Sequence, residues 1–194
     1  MPRTKEFDPD AALWSALELF WRRGYEATSM ADLVGHLGIG RASLYATFGN
    51  KRDLYLKALD RYGETYQPLL LDELSQPGSA LGAVRAVVRR FAAEATDEAS
   101  RAHGCLVTNT AAEMAPHDAA AARRVERSWE HLETLLESAL TRARAQGELP
   151  AGRDPRGLAR MLLVLLQGLR VVGKASSDPA RVREAAEQAL TLLD

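Results

Sequence analysis

Cysteine is almost absent from this sequence, since Cys105 is the only one in 194 residues. A single thiol excludes an internal disulfide bond and a zinc site built from several cysteines. One unpaired cysteine fits a reducing compartment. We therefore expect a cytoplasmic protein without a metal centre or a cofactor.

The sequence also lacks a dominant charge and a long apolar run. Its 25 basic and 26 acidic residues give a formal net charge of -1, so any attraction to nucleic acid must come from a local patch. The N-terminal segment has no apolar stretch of the length found in signal peptides. The most apolar segment, residues 158–172, contains Arg160, Gln167 and Arg170 and is short for a membrane span. We expect a soluble protein with no membrane partner.

Strand patterns are missing as well. No segment alternates apolar and polar residues between turn signals, and aromatic residues make up only 6%. Helix signals are frequent instead. Asp-Pro pairs at 8–9, 154–155 and 178–179 each place a capping side chain before a proline, which is tolerated in the first helical turn. The sequence predicts an all-α protein with about nine helices.

Two short helices near the N-terminus carry the sharpest local signal. Ser29 caps the first, Arg41–Phe48 forms the second, and residues 38–40 (Gly-Ile-Gly) join them. This arrangement is typical of a helix-turn-helix, whose second helix enters the DNA major groove. No acidic residue occurs between Asp32 and Asp53, as expected for a surface that faces phosphates. From the spacing alone, a helical hairpin with an exposed arginine is an equally good interpretation.

The residues of this region resemble a known family. Segments 27–33 (ATSMADL) and 37–51 (LGIGRASLYATFGNK) are similar to the N-terminal signature of the TetR-type transcriptional repressors, and the similarity covers about a third of the chain. The resemblance implies a three-helix DNA-binding domain at residues 1–62, with the helix-turn-helix at 29–48, and a helical effector-binding and dimerisation domain at 63–194. It also implies a regulator, not an enzyme, that binds a palindromic double-stranded operator and releases it when a small molecule binds.

Residue chemistry and the resemblance together give the expected DNA contacts. The start of the first motif helix can hold a phosphate with its N–H groups, and the exposed side of the second can read base edges. The predicted DNA-binding residues are Thr28, Ser29, Arg41, Ala42, Ser43, Tyr45, Ala46, Thr47 and Lys51. Two positions depart from the family pattern: Gly40 replaces a capping serine or threonine, and Arg52 replaces an acid and is expected to add positive charge near the DNA. Arg3 and Lys5 are a weaker expectation for an N-terminal arm.

An apolar stripe on the penultimate helix predicts self-association. Together with apolar residues of the last helix, it exceeds what one small domain buries, which favours a four-helix bundle between two subunits. The alternative is a purely internal core, and the resemblance favours the homodimer. The residues concerned are Leu158, Met161, Leu162, Leu165, Leu166 and Leu169, with Val182, Ala185, Ala189, Leu190 and Leu193 on the last helix.

Four residues are candidates for an effector site. Cys105, Asn109 and Glu113 are four apart and share one helical face, and Trp129 lies on the next helix. We expect them in a pocket that is enclosed by four C-terminal helices and lined mainly by Leu, Val and Ala. Such a wall favours an apolar or aromatic small molecule.

Cys105 also supports a second hypothesis. Its segment resembles that of TetR-type repressors that sense electrophiles or oxidants through one cysteine, and a helix N-terminus lowers the pKa of a thiol. Alternatively, Cys105 is a small buried residue that packs without reacting.

Two distant alternatives are a cysteine enzyme pairing Cys105 with His103 or His131, for which there is no motif, and a helical adaptor that does not bind DNA. The spacing of His103 and His117 matches no standard zinc arrangement.

Overall fold

The computed structural model describes residues 7–194, which form ten α-helices. The predicted all-α fold is confirmed, and the short α6 is the helix that the sequence did not separate from its neighbours. Arg3 and Lys5 lie outside the described residues. Within the described part of the chain, no helix has the length and hydropathy that crossing a membrane requires. The helices are α1 Pro9–Arg23, α2 Met30–Leu37, α3 Arg41–Phe48, α4 Lys51–Ser75, α5 Ala80–Thr96, α6 Glu98–His103, α7 Leu106–Glu113, α8 Ala119–Ala145, α9 Pro155–Ala175 and α10 Pro179–Thr191.

Local capping rules explain where several helices begin. Asp8, Asp154 and Asp178 each accept a hydrogen bond from a first-turn N–H, and a proline opens α1, α9 and α10. Ser29 and Asp32 form a capping box at the start of α2. Because these caps use only neighbouring residues, the sequence predicts them without knowledge of the tertiary structure.

The helices build two apolar cores that share α4 and α8. Helices α1–α3 and the first half of α4 pack with α7 and the start of α8 around Phe20, Leu44 and Tyr55. The end of α4 packs with α5, α8, α9 and α10. The proposed domain boundary between residues 62 and 63 falls inside α4, which runs unbroken from one core to the other. Helix α7 therefore belongs to the same core as the helix-turn-helix.

The apolar stripe on α9 serves mainly the protomer's own core. Helical periodicity identified the residues that face inward, but it did not reveal that they pack within one chain. The predicted interface residues that are buried inside the protomer are Leu162, Leu166, Leu169, Val182, Leu190 and Leu193. A different set of apolar residues on α9 is exposed, namely Val164, Val171 and Val172.

Gly173 permits the close approach of α9 to α5. A Cβ atom at this position would lie 2.2 Å from the carbonyl oxygen of Ala95 and 2.8 Å from its Cβ. Both atoms are fixed parts of α5, so no side-chain rotation relieves the contact. A larger residue would force the two helices apart.

Gly173→Ala is expected to lower the free energy of unfolding by about 1–3 kcal/mol, because the helices must separate to admit the methyl group. Gly35→Ala in α2 is the matched control. Nothing lies within 4 Å of a Cβ added there, so the better helix propensity of alanine should raise the stability by about 0.5–1 kcal/mol. Urea unfolding followed by circular dichroism at one protein concentration measures both. Equal effects of the two substitutions would contradict the tight packing at Gly173.

Candidate DNA-binding surface and effector cavity

Helices α2 and α3 form the helix-turn-helix. Gly38 ends α2 in the left-handed backbone region, with φ of 64°, which glycine adopts without a steric penalty. Leu33, Leu44 and Phe48 are buried in the N-terminal core and hold both helices in place. The opposite side of α3 is left open to a partner.

The outer face of α3 presents small and polar side chains. Tyr45 is 40% exposed, and the guanidinium of Arg41 lies 5.7 Å from the centroid of its ring. Gly40 caps α3 without a side-chain hydrogen bond, so the first-turn N–H groups are available to an anion. Thr47 is half-buried, and the exposed residues are Arg41, Ala42, Ser43, Tyr45 and Ala46. This is the geometry with which a helix reads base edges in the major groove.

Two residues near the motif make contacts within the protein that the sequence did not reveal. The side chain of Thr28 is fully buried, and its hydroxyl donates a hydrogen bond to the carbonyl of Gly24 at 2.7 Å. Thr28 therefore closes the turn between α1 and α2 with its side chain inside the protein. The guanidinium of Arg52 binds the carboxylate of Asp118 at the start of α8, and this contact lowers the pKa of Asp118 to about 2. The positive charge of Arg52 is thus compensated within the protein.

Ser29 and Lys51 stand at the beginnings of helices. Ser29 is exposed, and its hydroxyl accepts the N–H of Asp32 in the capping box. Lys51 is the first residue of α4, and its ammonium lies 4.1 Å from the ring centroid of Tyr25. Such a cation–π contact orients the lysine side chain beside the helix-turn-helix.

A cavity of about 620 Å³ lies between the N-terminal core and the C-terminal helices. Its walls come from α1, α4, α5, α6, α8 and α9 and from the first residues of α7 and the segment before it. The volume is within the range of sites that hold small molecules. Glu18, Trp21 and Arg22 of α1 line it, so the cavity borders the core that holds the helix-turn-helix.

The cavity wall is more polar than the sequence suggested. The expectation of mainly Leu, Val and Ala is corrected, because aromatic and charged residues outnumber them in the lining, although most of the wall surface is apolar. The ionisable acids and bases among them are Glu18, Arg22, Arg90, Glu94, Arg101, His103, His131 and Arg170, and the aromatic residues are Trp21, Tyr62, Tyr66, Phe91 and Trp129. Such a wall offers both apolar surface and charge to a ligand.

The four predicted effector residues divide into two pairs. Cys105 and Trp129 line the cavity, whereas Asn109 and Glu113 do not. The amide of Asn109 donates to a carbonyl at the end of α6, and the carboxylate of Glu113 binds backbone N–H groups of the α1–α2 turn. The regular spacing placed them on one face of α7, but only the beginning of that face reaches the cavity.

Cys105 is buried at the N-cap of α7, close to the positive charge of Arg170. Burial opposes ionisation of the thiol, but the charge of Arg170 and the polar groups of Thr108 and Tyr62 outweigh it and lower the pKa of Cys105. The hydroxyl of Tyr62 lies 3.6 Å from the sulfur. Burial raises the pKa of Tyr62, so its hydroxyl stays protonated and donates to the sulfur.

Sequence reasoning missed Arg170 and Tyr62 as residues of this site. Arg170 carried a usable signal, since it is a cation inside the most apolar segment of the chain. Charged residues are almost never buried without a partner or a function. Tyr62 had no such signal, because an aromatic residue at helical spacing is ordinary core.

Two family models match separate parts of the chain. The model described as Bacterial regulatory proteins, tetR family matches residues 13–58, and the model described as Tetracyclin repressor-like, C-terminal domain matches residues 80–189. The second match alone spans more than half of the chain. The chain belongs to the TetR family. TetR-family proteins are DNA-binding transcriptional regulators and not enzymes.

Relatives along the whole length agree with this membership. The chain is 39% identical to the HTH-type transcriptional regulator YezE of Bacillus subtilis (strain 168), with 100% of both chains covered. It is 31% identical to the HTH-type transcriptional repressor ComR of Escherichia coli (strain K12), with 98% of this chain and 90% of ComR covered. Among solved structures, a cysteine mutant of the TetR family regulator CifR in complex with 26-bp operator DNA is similar, with a TM-score of 0.85 and 31% identity over 99% of this chain and 100% of CifR.

In this TetR-family chain, α7 connects the cavity to the helix-turn-helix. Beside the cavity, Nε1 of Trp21 donates to the carbonyl of Gly104 at 3.0 Å. At the far end of α7, Glu113 accepts the N–H of Tyr25 at 3.0 Å and the N–H of Glu26 at 2.8 Å. These contacts join both ends of the α6–α7 region to α1 and to the turn that precedes α2.

Proposed function

We propose that this chain is a ligand-responsive repressor that binds a palindromic operator as a homodimer and releases it when a small molecule fills the cavity. The observation that carries the proposal is the position of the cavity, whose wall includes α1 of the DNA-binding domain and the start of α7. A ligand that prefers a different arrangement of these helices shifts the population away from the DNA-binding form.

The exposed apolar face of α9 supports the homodimer. Val164 is 71% exposed and Val171 is 55% exposed, and Gly168 lies between them one turn from each, which allows a second helix to approach closely. Pairing this face about a two-fold axis removes the apolar row from water. A symmetric dimer then presents two α3 helices to half-sites about 34–36 Å apart, or a multiple of that distance.

The relatives favour repression over activation. ComR and BdcR of Escherichia coli are both named repressors, and CifR forms a complex with operator DNA. We infer the same mode here, in which the ligand-free dimer occupies the operator. When the ligand binds, the free energy of operator binding falls by the difference between the ligand's binding free energies for the two conformations, typically about 1–3 kcal/mol.

Substitutions in the helix-turn-helix test the DNA contacts. Lys51→Ala is expected to weaken binding to every DNA sequence and to reduce the salt dependence of affinity by about one charge, because a phosphate contact is lost.

Arg41→Ala is expected to cost about 1–3 kcal/mol on the operator and to relax the preference at one base pair. Fluorescence anisotropy with promoter DNA and operator variants at several salt concentrations measures both.

Arg144→Ala is the control for these two variants. Helix α8 has 27 residues, so Arg144 lies roughly 40 Å along the helix from the end that contacts Arg52, and its removal should leave operator binding unchanged. An unaltered salt slope for Lys51→Ala would show that it makes no phosphate contact. An equal loss of affinity of Arg41→Ala for all operator variants would show that Arg41 contacts only the DNA backbone. Failure of the wild-type protein to bind its own promoter would contradict the proposal and favour a helical adaptor.

A second candidate function uses the same cavity, with Cys105 as a sensor of electrophiles. The lowered pKa of this cavity-lining thiol favours it. The thiolate adds to the β-carbon of an α,β-unsaturated carbonyl compound, so that one C–S bond forms and the enolate takes a proton from water. The adduct then occupies the cavity in place of a reversible ligand.

N-ethylmaleimide distinguishes the two candidates. If Cys105 is a sensor, its modification rate rises with pH through a thiol pKa below that of free cysteine, because the thiolate is the nucleophile. Modification is expected to release the operator from the wild-type protein and not from Cys105→Ser. Mass spectrometry follows the adduct, and anisotropy follows the operator. If both proteins keep or lose DNA equally, Cys105 only packs and the effector binds noncovalently.

A further inference from the structure

Arg170 places a cation at the cavity wall, and its nearest carboxylate is 3.8 Å away. Its side chain is 19% exposed and lines the cavity. The guanidinium carbon lies 4.2 Å from the ring centroid of Phe91, a stacking contact that orients the planar group. Among the described residues Arg170 has no side-chain hydrogen-bond acceptor, and its one ion pair is with Glu94 at 3.8 Å.

Glu94 is hydrogen-bonded to a different arginine, Arg90. It accepts a hydrogen bond from Arg90 at 2.6 Å, and Arg90 also pairs with Glu73 at 2.8 Å. Arg90 thus has two carboxylates at close range, whereas Arg170 shares one of them at a distance. A guanidinium that lines a cavity with open N–H donors is a ready partner for an anion.

The surroundings of Arg170 provide apolar contacts and two further unpaired nitrogens. The apolar and aromatic side chains of the wall include Trp21, Leu70, Phe91, Val107, Trp129 and Leu132. Nε1 of Trp129 and Nε2 of His131 are buried without a hydrogen-bond partner within residues 7–194, and both residues line the cavity. Buried polar groups are normally paired, so the polar groups of this wall are incomplete without an occupant.

We propose that the effector is a small organic carboxylate whose carboxylate group pairs with Arg170 and whose apolar body packs on the aromatic wall. The planar guanidinium fork matches a carboxylate with two parallel hydrogen bonds. The cavity is several times larger than a carboxylate group, so the remaining volume limits the size and shape of the ligand's apolar body. This inference rests on the proposed function and names the chemical class of its ligand.

Matched pairs of carboxylates and neutral amides test the proposal on the protein alone. The probes are phenylacetate, phenylbutanoate and octanoate, each with its primary amide, and phenyl phosphate as a second anion. Isothermal titration calorimetry measures each dissociation constant. At least one carboxylate is expected to bind about tenfold or more tightly than its amide, since a charge-assisted pair is lost in the amide.

Variants of Arg170 assign the effect to one side chain. Arg170→Gln is expected to weaken carboxylate binding about tenfold and to leave amide binding unchanged, and Arg170→Lys is expected to fall between it and wild type. Arg89→Gln is the control, because Arg89 is an exposed arginine of α5 paired with Glu187 and does not line the cavity. Circular dichroism checks folding. If Arg170→Gln does not fold, Arg170→Lys and the wild-type comparison of carboxylate with amide decide.

Separate outcomes overturn the ligand class and the proposed function. Equal binding of carboxylate and amide, no carboxylate binding up to millimolar concentration, tighter binding of phenyl phosphate, or full carboxylate binding by Arg170→Gln each overturns the assignment. Carboxylate binding that leaves operator affinity unchanged supports the site at Arg170 and contradicts the proposed release mechanism. Operator release by amides as effective as carboxylates contradicts the ligand class and retains the release mechanism.

Discussion

One carboxylate, that of Glu113 at the end of α7, accepts two backbone N–H groups from the turn between α1 and α2. Hydrogen bonds to an ionised group are stronger than neutral ones, so this contact ties α7 to the segment that leads into the helix-turn-helix. Gly24 permits the approach, since a Cβ there would lie 3.1 Å from a carboxylate oxygen of Glu113. At its other end α7 begins at the cavity, with Cys105 as its N-cap. A helix of only eight residues therefore links the cavity to the turn that precedes α2.

For the proposed ligand response, this arrangement offers a physical route from the cavity to the helix-turn-helix. An occupant of the cavity meets α1 at Trp21 and the start of α7 at Cys105 and Val107. Packed helices respond to such contacts by small rigid shifts, and a shift of α7 along its axis moves Glu113 and the turn that it holds. In the proposed homodimer, both α3 helices must fit their half-sites, so a small rotation of each domain would lower operator affinity.

Local interactions were predictable from the sequence, and long-range ones were not. The capping box at Ser29, the stop at Gly38 and the buried position of Leu44 depend on residues within one or two turns, and the structure has all three. By contrast, Arg52 meets a carboxylate 66 positions away, and Thr28 turns into the protein. Helical periodicity identified the inward stripe of α9, but it carries no information on whether the stripe packs within one chain or between two. The residue types of the cavity wall were not predicted either, because the wall is assembled from helices that are far apart in sequence.

The central claim is that an occupant of the cavity acts on the helix-turn-helix through Glu113. Hydrogen–deuterium exchange of residues 25–48, before and after modification of Cys105 with N-ethylmaleimide, measures this transmission in the wild-type protein and in Glu113→Ala, with Glu126→Ala on the exposed side of α8 as the control. The account predicts that modification changes exchange in this segment in the wild type and the control, and that Glu113→Ala abolishes the change although Cys105 is fully modified. The same change in exchange in all three proteins would contradict it.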